Sequence, residues 1–113
     1  MKIEEYKFGA FRIDGKQYLD DIKIINGKVR YWQTREGHIL KLEEIKELID
    51  SNPEVIIIGT GASGFLQVSP EIKDAIMNKR IILFVEKTEL ACKRFNDLVN
   101  KGKKVNAILH ATC

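Results

Sequence analysis

The residues that come closest to chemistry by type and spacing are Gly59-Thr60-Gly61-Ala62-Ser63-Gly64. They satisfy G-x-G-x-x-G directly after the apolar run 55–58, and a turn of that kind lets backbone amides approach a pyrophosphate. Glu86 lies 22 residues beyond Gly64, where an acid could hold a ribose hydroxyl. In the dinucleotide fold, however, the last glycine opens the helix, so that the helix dipole faces the phosphate. Here Phe65-Leu66-Gln67-Val68 intervene before a hydroxyl cap at Ser69, and no second mononucleotide half follows. No Gly-Lys-Ser/Thr follows either, so this is not a Walker loop. Two readings remain: glycines that permit a sharp turn at a strand end, or a pocket for a small anion or other small ligand. The second would use the amides of Gly59, Thr60, Gly61 and Gly64 and the hydroxyls of Thr60 and Ser63.

Nucleophilic chemistry is poorly provided for. Ser63 sits in Gly61-Ala62-Ser63-Gly64-Phe65, which lacks the final glycine of a nucleophile elbow. A base would have to be His38 or His110, and neither has a carboxylate at a recognisable offset. His110 reads as a hydrogen-bonded structural histidine. Cys113 would carry its own terminal carboxylate, whose charge disfavours the thiolate, and Cys92, early in a helix beside Ala91, reads as a packing residue. Together with the two histidines, these cysteines match no zinc spacing. The expectation is no catalytic residue, no metal and no cofactor.

Those residues need a scaffold, and the composition limits what it can be. The chain has 113 residues and 13.0 kDa, 44% hydrophobic and 31% charged, which suits one ordered domain over residues 1–113 and excludes a disordered chain. Nineteen basic and 16 acidic residues interleave to a net +3, with no basic stripe carrying aromatics, so nucleic acid is not an expected partner. No apolar run approaches the ~20 residues of a membrane span. Met-Lys-Ile-Glu-Glu does not read as a signal sequence. A cytoplasmic protein with free thiols, not bound to a membrane, is expected.

The hydropathy pattern sets the order of elements. Residues 5–13, 17–25 and 28–34 alternate as strands, with Asp14-Gly15 and Asn26-Gly27 as turns, and predict a three-stranded antiparallel meander. After Arg35-Glu36-Gly37-His38 the period lengthens. Leu42, Ile45, Leu48 and Ile49 share one helix face, and Glu43, Glu44, Lys46 and Glu47 are expected in water. Asn52-Pro53 stops that helix. Residues 55–58 and 81–85 read as strands buried on both faces. Ser69-Pro70-Glu71 opens a second helix, and Thr88 is expected to cap a third that ends at Gly102. A last strand holds Val105, Ala107, Ile108 and Leu109. The order β-β-β-α-β-α-β-α-β predicts an α/β fold with a mostly parallel, mixed sheet covered by helices and flanked by the meander.

Thr88, Ala91, Cys92, Phe95, Asn96 and Leu98, then Gly102, Val105 and Ala107, and finally His110, Thr112 and Cys113 resemble the closing motif of a small family. That family, largely a domain of unknown function, includes bacterial and archaeal single-domain proteins. It also includes the adipogenesis-associated cytoplasmic protein of animals and the mitochondrial assembly factor three of respiratory complex I. Gly59-Thr60-Gly61 resembles its other hallmark, as do Phe8-Gly9 and Asp14-Gly15 leading to Tyr18 and Asp21. Phe95 stands where a tyrosine is common, and Lys103-Lys104 where arginines are common. The resemblance implies a three-layer α/β domain with a mixed sheet and extra antiparallel strands. It brings no established catalytic activity. It implies a non-enzymatic binding or assembly protein with a protein partner, for which Tyr31, Trp32 and Phe65 are candidate contact residues. A small-molecule enzyme or sensor using residues 59–64 is the alternative.

Overall fold

Five short strands, rather than three, occupy the first third of the chain. In the computed structural model, which describes residues 1–113, β1 (Ile3–Lys7), β2 (Ala10–Ile13) and β3 (Lys16–Tyr18) form one antiparallel sheet. The expected meander therefore splits. Phe8-Gly9 makes a turn inside the first predicted strand, and residues 19–21 carry the chain from this small sheet into a second one. There β4 (Ile22–Ile25) and β5 (Lys28–Tyr31) make the hairpin announced by Asn26-Gly27, and Asn26 adopts φ 51° as a primed turn requires.

Helix and strand then alternate: α1 (Leu42–Asp50), β6 (Val55–Gly59), α2 (Pro70–Met77), β7 (Ile82–Glu86), α3 (Thr88–Asn100) and β8 (Val105–Leu109). The main sheet has the order β5-β4-β8-β6-β7, parallel among β8, β6 and β7 and antiparallel where β4 meets β8 and β5. The mixed α/β sheet expected from the element order is present.

Because successive strand side chains point to opposite faces, the sheet serves two cores. Ile57, Ala107 and Leu109 face α3, through Ala91, Cys92 and Phe95, and the small sheet, through Ile3, Phe11 and Ile13. Ile56, Ile58 and Ile108 face α1 and α2, through Ile45, Leu48, Ile72 and Ile76, with Trp32 and Leu40 sealing the margin. The result is three layers. All five residues of β6 are buried, as the unbroken apolar run demands. β7 departs from the same expectation: it lies at the sheet edge, and Ile82 is exposed.

Two helix starts differ from the sequence reading. Ser69 caps α2 as expected, its hydroxyl accepting the Ile72 amide at 3.2 Å. Lys87, not Thr88, holds the N-cap position of α3, and Thr88 is buried as the first helical residue. At the far end Gly102, at φ 82°, lets the Lys103 amide reach the Leu98 carbonyl, a Schellman closure. Glu44 was expected in water but is buried. Its carboxylate accepts the Trp32 indole N–H, the Thr34 hydroxyl at 3.1 Å and the Lys41 amide at 2.9 Å. Trp32 is correspondingly buried, and so is not available as a surface contact.

Removing the Glu44 carboxylate leaves a buried indole N–H and a helix-start amide without acceptors. Glu44→Ala is expected to lower stability by about 1–3 kcal/mol in urea unfolding. A loss no larger than that of Glu43→Ala would show that those donors find other partners.

Candidate functional site

Parallel pairing of β6 with β8 is in register, with Gly59 opposite Leu109, so the chain leaving each strand runs side by side with the other. Residues 59–64 and 110–113 are thereby brought together, which a β8 antiparallel to β6 would have prevented. The His110 amide donates to the Gly59 carbonyl at 3.0 Å, the Ala62 amide to Thr112 at 2.7 Å and the Phe65 amide to Cys113 at 2.9 Å. Thr88 closes the corner. Its hydroxyl accepts the Gly61 amide at 2.8 Å and donates to the His110 carbonyl at 2.7 Å. Thr60 turns to the third parallel strand, its amide and hydroxyl both donating to the Glu86 carbonyl. The Glu86 carboxylate, considered above for a ribose hydroxyl, receives Arg94 Nε at 2.9 Å on each oxygen.

Gly61 is the tightest point. At φ 104° it lies outside the comfortable range of L side chains, and an added Cβ would come within 2.6 Å of the Thr112 oxygen and overlap the Cys113 carbonyl. The glycine is thus needed for the close approach of the 110–113 segment. Ser63 is exposed, and the amides of Ser63 and Gly64 make no backbone hydrogen bond.

On the β4 side the same corner holds a buried ionic group. Asp21 Oδ1 receives His110 Nδ1 at 2.8 Å and the Ala111 amide at 2.6 Å, while Oδ2 receives Arg35 Nε at 2.5 Å. Burial alone would raise the Asp21 carboxyl, but the hydrogen bonds from His110, Ala111 and Arg35 outweigh it and hold the group below its ordinary value. His110 is fully buried, with the exposed His38 ring edge-on to it at a centroid distance of 5.6 Å. Tyr6 donates to the Ala111 carbonyl at 2.9 Å, and burial, aided by Cys92 and Glu89, lifts its phenol to about 12, so it remains a donor.

The other motif residues lie apart from this corner or serve packing. Ala91 and Cys92 are in the core, and burial, then Glu89, pushes the Cys92 thiol up to about 12, which leaves it unreactive at neutral pH. Asn96 binds both main-chain groups of Ile3, at 2.8 and 2.7 Å, and so fastens β1 to α3. Gly102 is at the opposite end of that helix. From the sequence, His38 stands only as a possible base, Asp21 only within the resemblance and Arg35 not as a site residue; none of the three is joined there to His110. His110 and Asp21 are 89 residues apart, and no local spacing announces their pairing.

The family described as "Protein of unknown function (DUF498/DUF598)" matches residues 3–110. A conserved hypothetical protein from Pyrococcus horikoshii has a crystal structure that superposes with a TM-score of 0.89 at 32% identity, covering 100% of both chains. An outer membrane protein from Bartonella henselae superposes at 0.84 with 26% identity, over 98% of this chain and 94% of that one. The "13 kDa major membrane protein" of Francisella tularensis is 27% identical across 94% of this chain and 87% of its own length. The NADH dehydrogenase (ubiquinone) 1 alpha subcomplex assembly factor 3 of Xenopus tropicalis is 25% identical across 96% of this chain, which spans 60% of that relative. In the present chain no helix is long and apolar enough to cross a membrane.

Two predictions follow from the corner. Because the Asp21 carboxyl is held below its unfolded value of about 3.9, its contribution to stability is complete above that pH and is lost as the pH falls through the lower folded value. Unfolding measured from pH 6 down to pH 2 should show a steeper acid limb for the wild type than for Asp21→Asn; equal limbs would contradict the assignment. Gly61→Ala should lower stability by about 1–3 kcal/mol through overlap with the 110–113 segment, with amide exchange in that segment accelerating first. Unchanged exchange there would mean the segment is not held by this approach.

Proposed function

The chain belongs to this family of unknown function, and we propose that it is a non-enzymatic binding or assembly protein that docks a protein partner on the end of its main sheet. The observation that carries this reading is where large apolar side chains are left in water. Phe8, Leu19, Tyr31 and Phe65 are 64%, 66%, 45% and 59% exposed. All four belong to segments that meet at the Asp21–His110 corner. Phe8 precedes Gly9, whose amide donates to Ala111; Leu19 leads into Asp21; Tyr31 pairs with Ile22; and the Phe65 amide donates to Cys113. Single exposed apolar residues are ordinary, but several at one end of a sheet suit an interaction face. Aromatic side chains are also the usual anchors of such faces. The name of the Xenopus relative, an assembly factor, supports a role of this kind. A cytoplasmic location belongs to the same reading.

A second reading, a small-anion or nucleotide sensor, has one observation in its favour, the free amides of Ser63 and Gly64. The other candidate amides, Thr60 and Gly61, already donate within the protein, and Gly59 sits with its carbonyl engaged by His110.

The test is affinity capture with quantitative mass spectrometry, comparing the wild type with Phe65→Asp, Tyr31→Asp and Ile82→Asp. The first two should reduce a captured partner about tenfold or more, a change of ~1.4 kcal/mol. Ile82→Asp, at the other end of edge strand β7, should not. Equal capture by all four proteins would overturn the reading. Saturable amide shifts at Ser63 and Gly64 on adding phosphate, with no partner captured, would favour the sensor instead.

A further inference from the structure

Each of the two sheets ends in strands whose outer main-chain groups lack a strand partner, and such an edge accepts another chain unless something blunts it. Three of the four edges are blunted. β1 carries Glu4, Glu5 and Lys7, and Asn96 occupies both main-chain groups of Ile3. β3 is three residues long and begins with Lys16. β5 carries Lys28 and Arg30. β7 has none of these devices. Its run Ile82-Leu83-Phe84-Val85 is uncharged and free of proline, and Ile82 is 59% exposed. Apolar side chains stand in water at both ends of the strand: Met77 at the end of α2 before it, and Leu90 in a surface groove with Glu86 and Lys87 after it.

The hydrogen bonds of β7 fix which residues offer that edge. The Ile82 amide donates to the Glu54 carbonyl at 3.1 Å, and the Glu86 carbonyl accepts the Thr60 amide at 2.8 Å. Main-chain groups alternate in direction along a strand, so Ile82, Phe84 and Glu86 turn theirs toward β6. Ile81, Leu83 and Val85 turn theirs outward. That set complements itself. Around a two-fold axis at Leu83, an antiparallel second copy lets Leu83 exchange both bonds with the partner's Leu83, and Ile81 with the partner's Val85. The same register sets Ile82 against the partner's Phe84, a β-branched side chain against an aromatic one, and takes Ile82 out of water. It also sets Arg80 opposite the partner's Glu86. Arg80 forms no salt bridge within its own chain. Glu86 already holds Arg94, but a carboxylate has lone pairs for a second guanidinium. Lys79 and Lys87, both exposed, meet only beyond the paired span, in water.

We propose that β7 pairs antiparallel with β7 of a second copy of this chain, joining the two main sheets into one continuous sheet across a two-fold axis. This surface is separate from the docking face, because Tyr31 lies on β5 at the opposite edge of the main sheet. The two readings therefore fail separately: Ile82→Asp loses the dimer and keeps the captured partner, and Tyr31→Asp does the reverse.

The test is sedimentation equilibrium of the full chain from micromolar to millimolar concentration, with amide hydrogen exchange followed over the same range. The wild type should pass from monomer to dimer and stop there, and the Leu83 and Val85 amides should gain protection as it does. Ile82→Asp, a change at an exposed position counted twice across the axis, should weaken the dimer about tenfold or more. Arg80→Glu, which alters only an exposed charge, should weaken it about threefold or more by facing the partner's Glu86. Tyr31→Asp should leave it unchanged. A monomer throughout, association that continues past the dimer, a dimer indifferent to both Ile82→Asp and Arg80→Glu, or exchange at Leu83 and Val85 that ignores concentration would each overturn the proposal.

Discussion

The carboxylate of Asp21 joins parts of the protein that are distant in sequence. It sits just before β4, in the antiparallel half of the sheet, and it binds the side chain of His110 and the amide of Ala111, just after β8. Its other oxygen holds Arg35 in the connection to α1. A buried carboxylate is tolerated only when such donors replace its water. Once they do, the three segments cannot shift relative to one another without leaving a charge unpaired. The placement of the 110–113 segment on the glycine turn, and with it the fit at Gly61, follows from that fixed point.

In the glycine turn several main-chain donors of the motif are engaged by the chain itself. The amides of Gly61, Ala62 and Phe65 donate to Thr88, Thr112 and Cys113, where a phosphate-binding loop would leave such donors open to a ligand. The physical requirement for glycine is the same in both situations: main chain must come close to another group where a Cβ would collide. The pattern G-x-G-x-x-G reports the close approach and not the identity of what approaches.

Features governed by a few consecutive residues were legible in the sequence. Asn26-Gly27, Ser69-Pro70 and Gly102 each specify a local backbone conformation, and all three occur where expected. The apolar runs at 55–58 and 81–85 located strands, but only the sheet order makes the first central and the second an edge. Thr88 and Glu44 were misplaced for a related reason. A threonine before a helix and a glutamate within one have strong local preferences, and both are overruled by distant partners: His110 and Gly61 for the threonine, Trp32 for the glutamate. The Asp21–His110 contact is the extreme of this kind, since a pairing across 89 residues leaves no periodic trace. The alternation of residues 17–25 continues through Leu19 and Asp20, and nothing in that pattern marks the passage from one sheet to another.

The position of β8 bears on how the protein is made. It is the last strand in the sequence and the middle strand of the main sheet, lying between β4 and β6. During synthesis the β4–β5 hairpin and the β6–β7 pair leave the ribosome with the edges that will flank β8 still bare. Neither unit can join the other until β8 has emerged. Domains whose strands pair over long sequence separations pay their loop-closure entropy before gaining those contacts, and exposed edges in the interval invite wrong partners. The nascent chain is therefore most exposed to misassembly until residues 105–109 emerge and fill the gap between the two units.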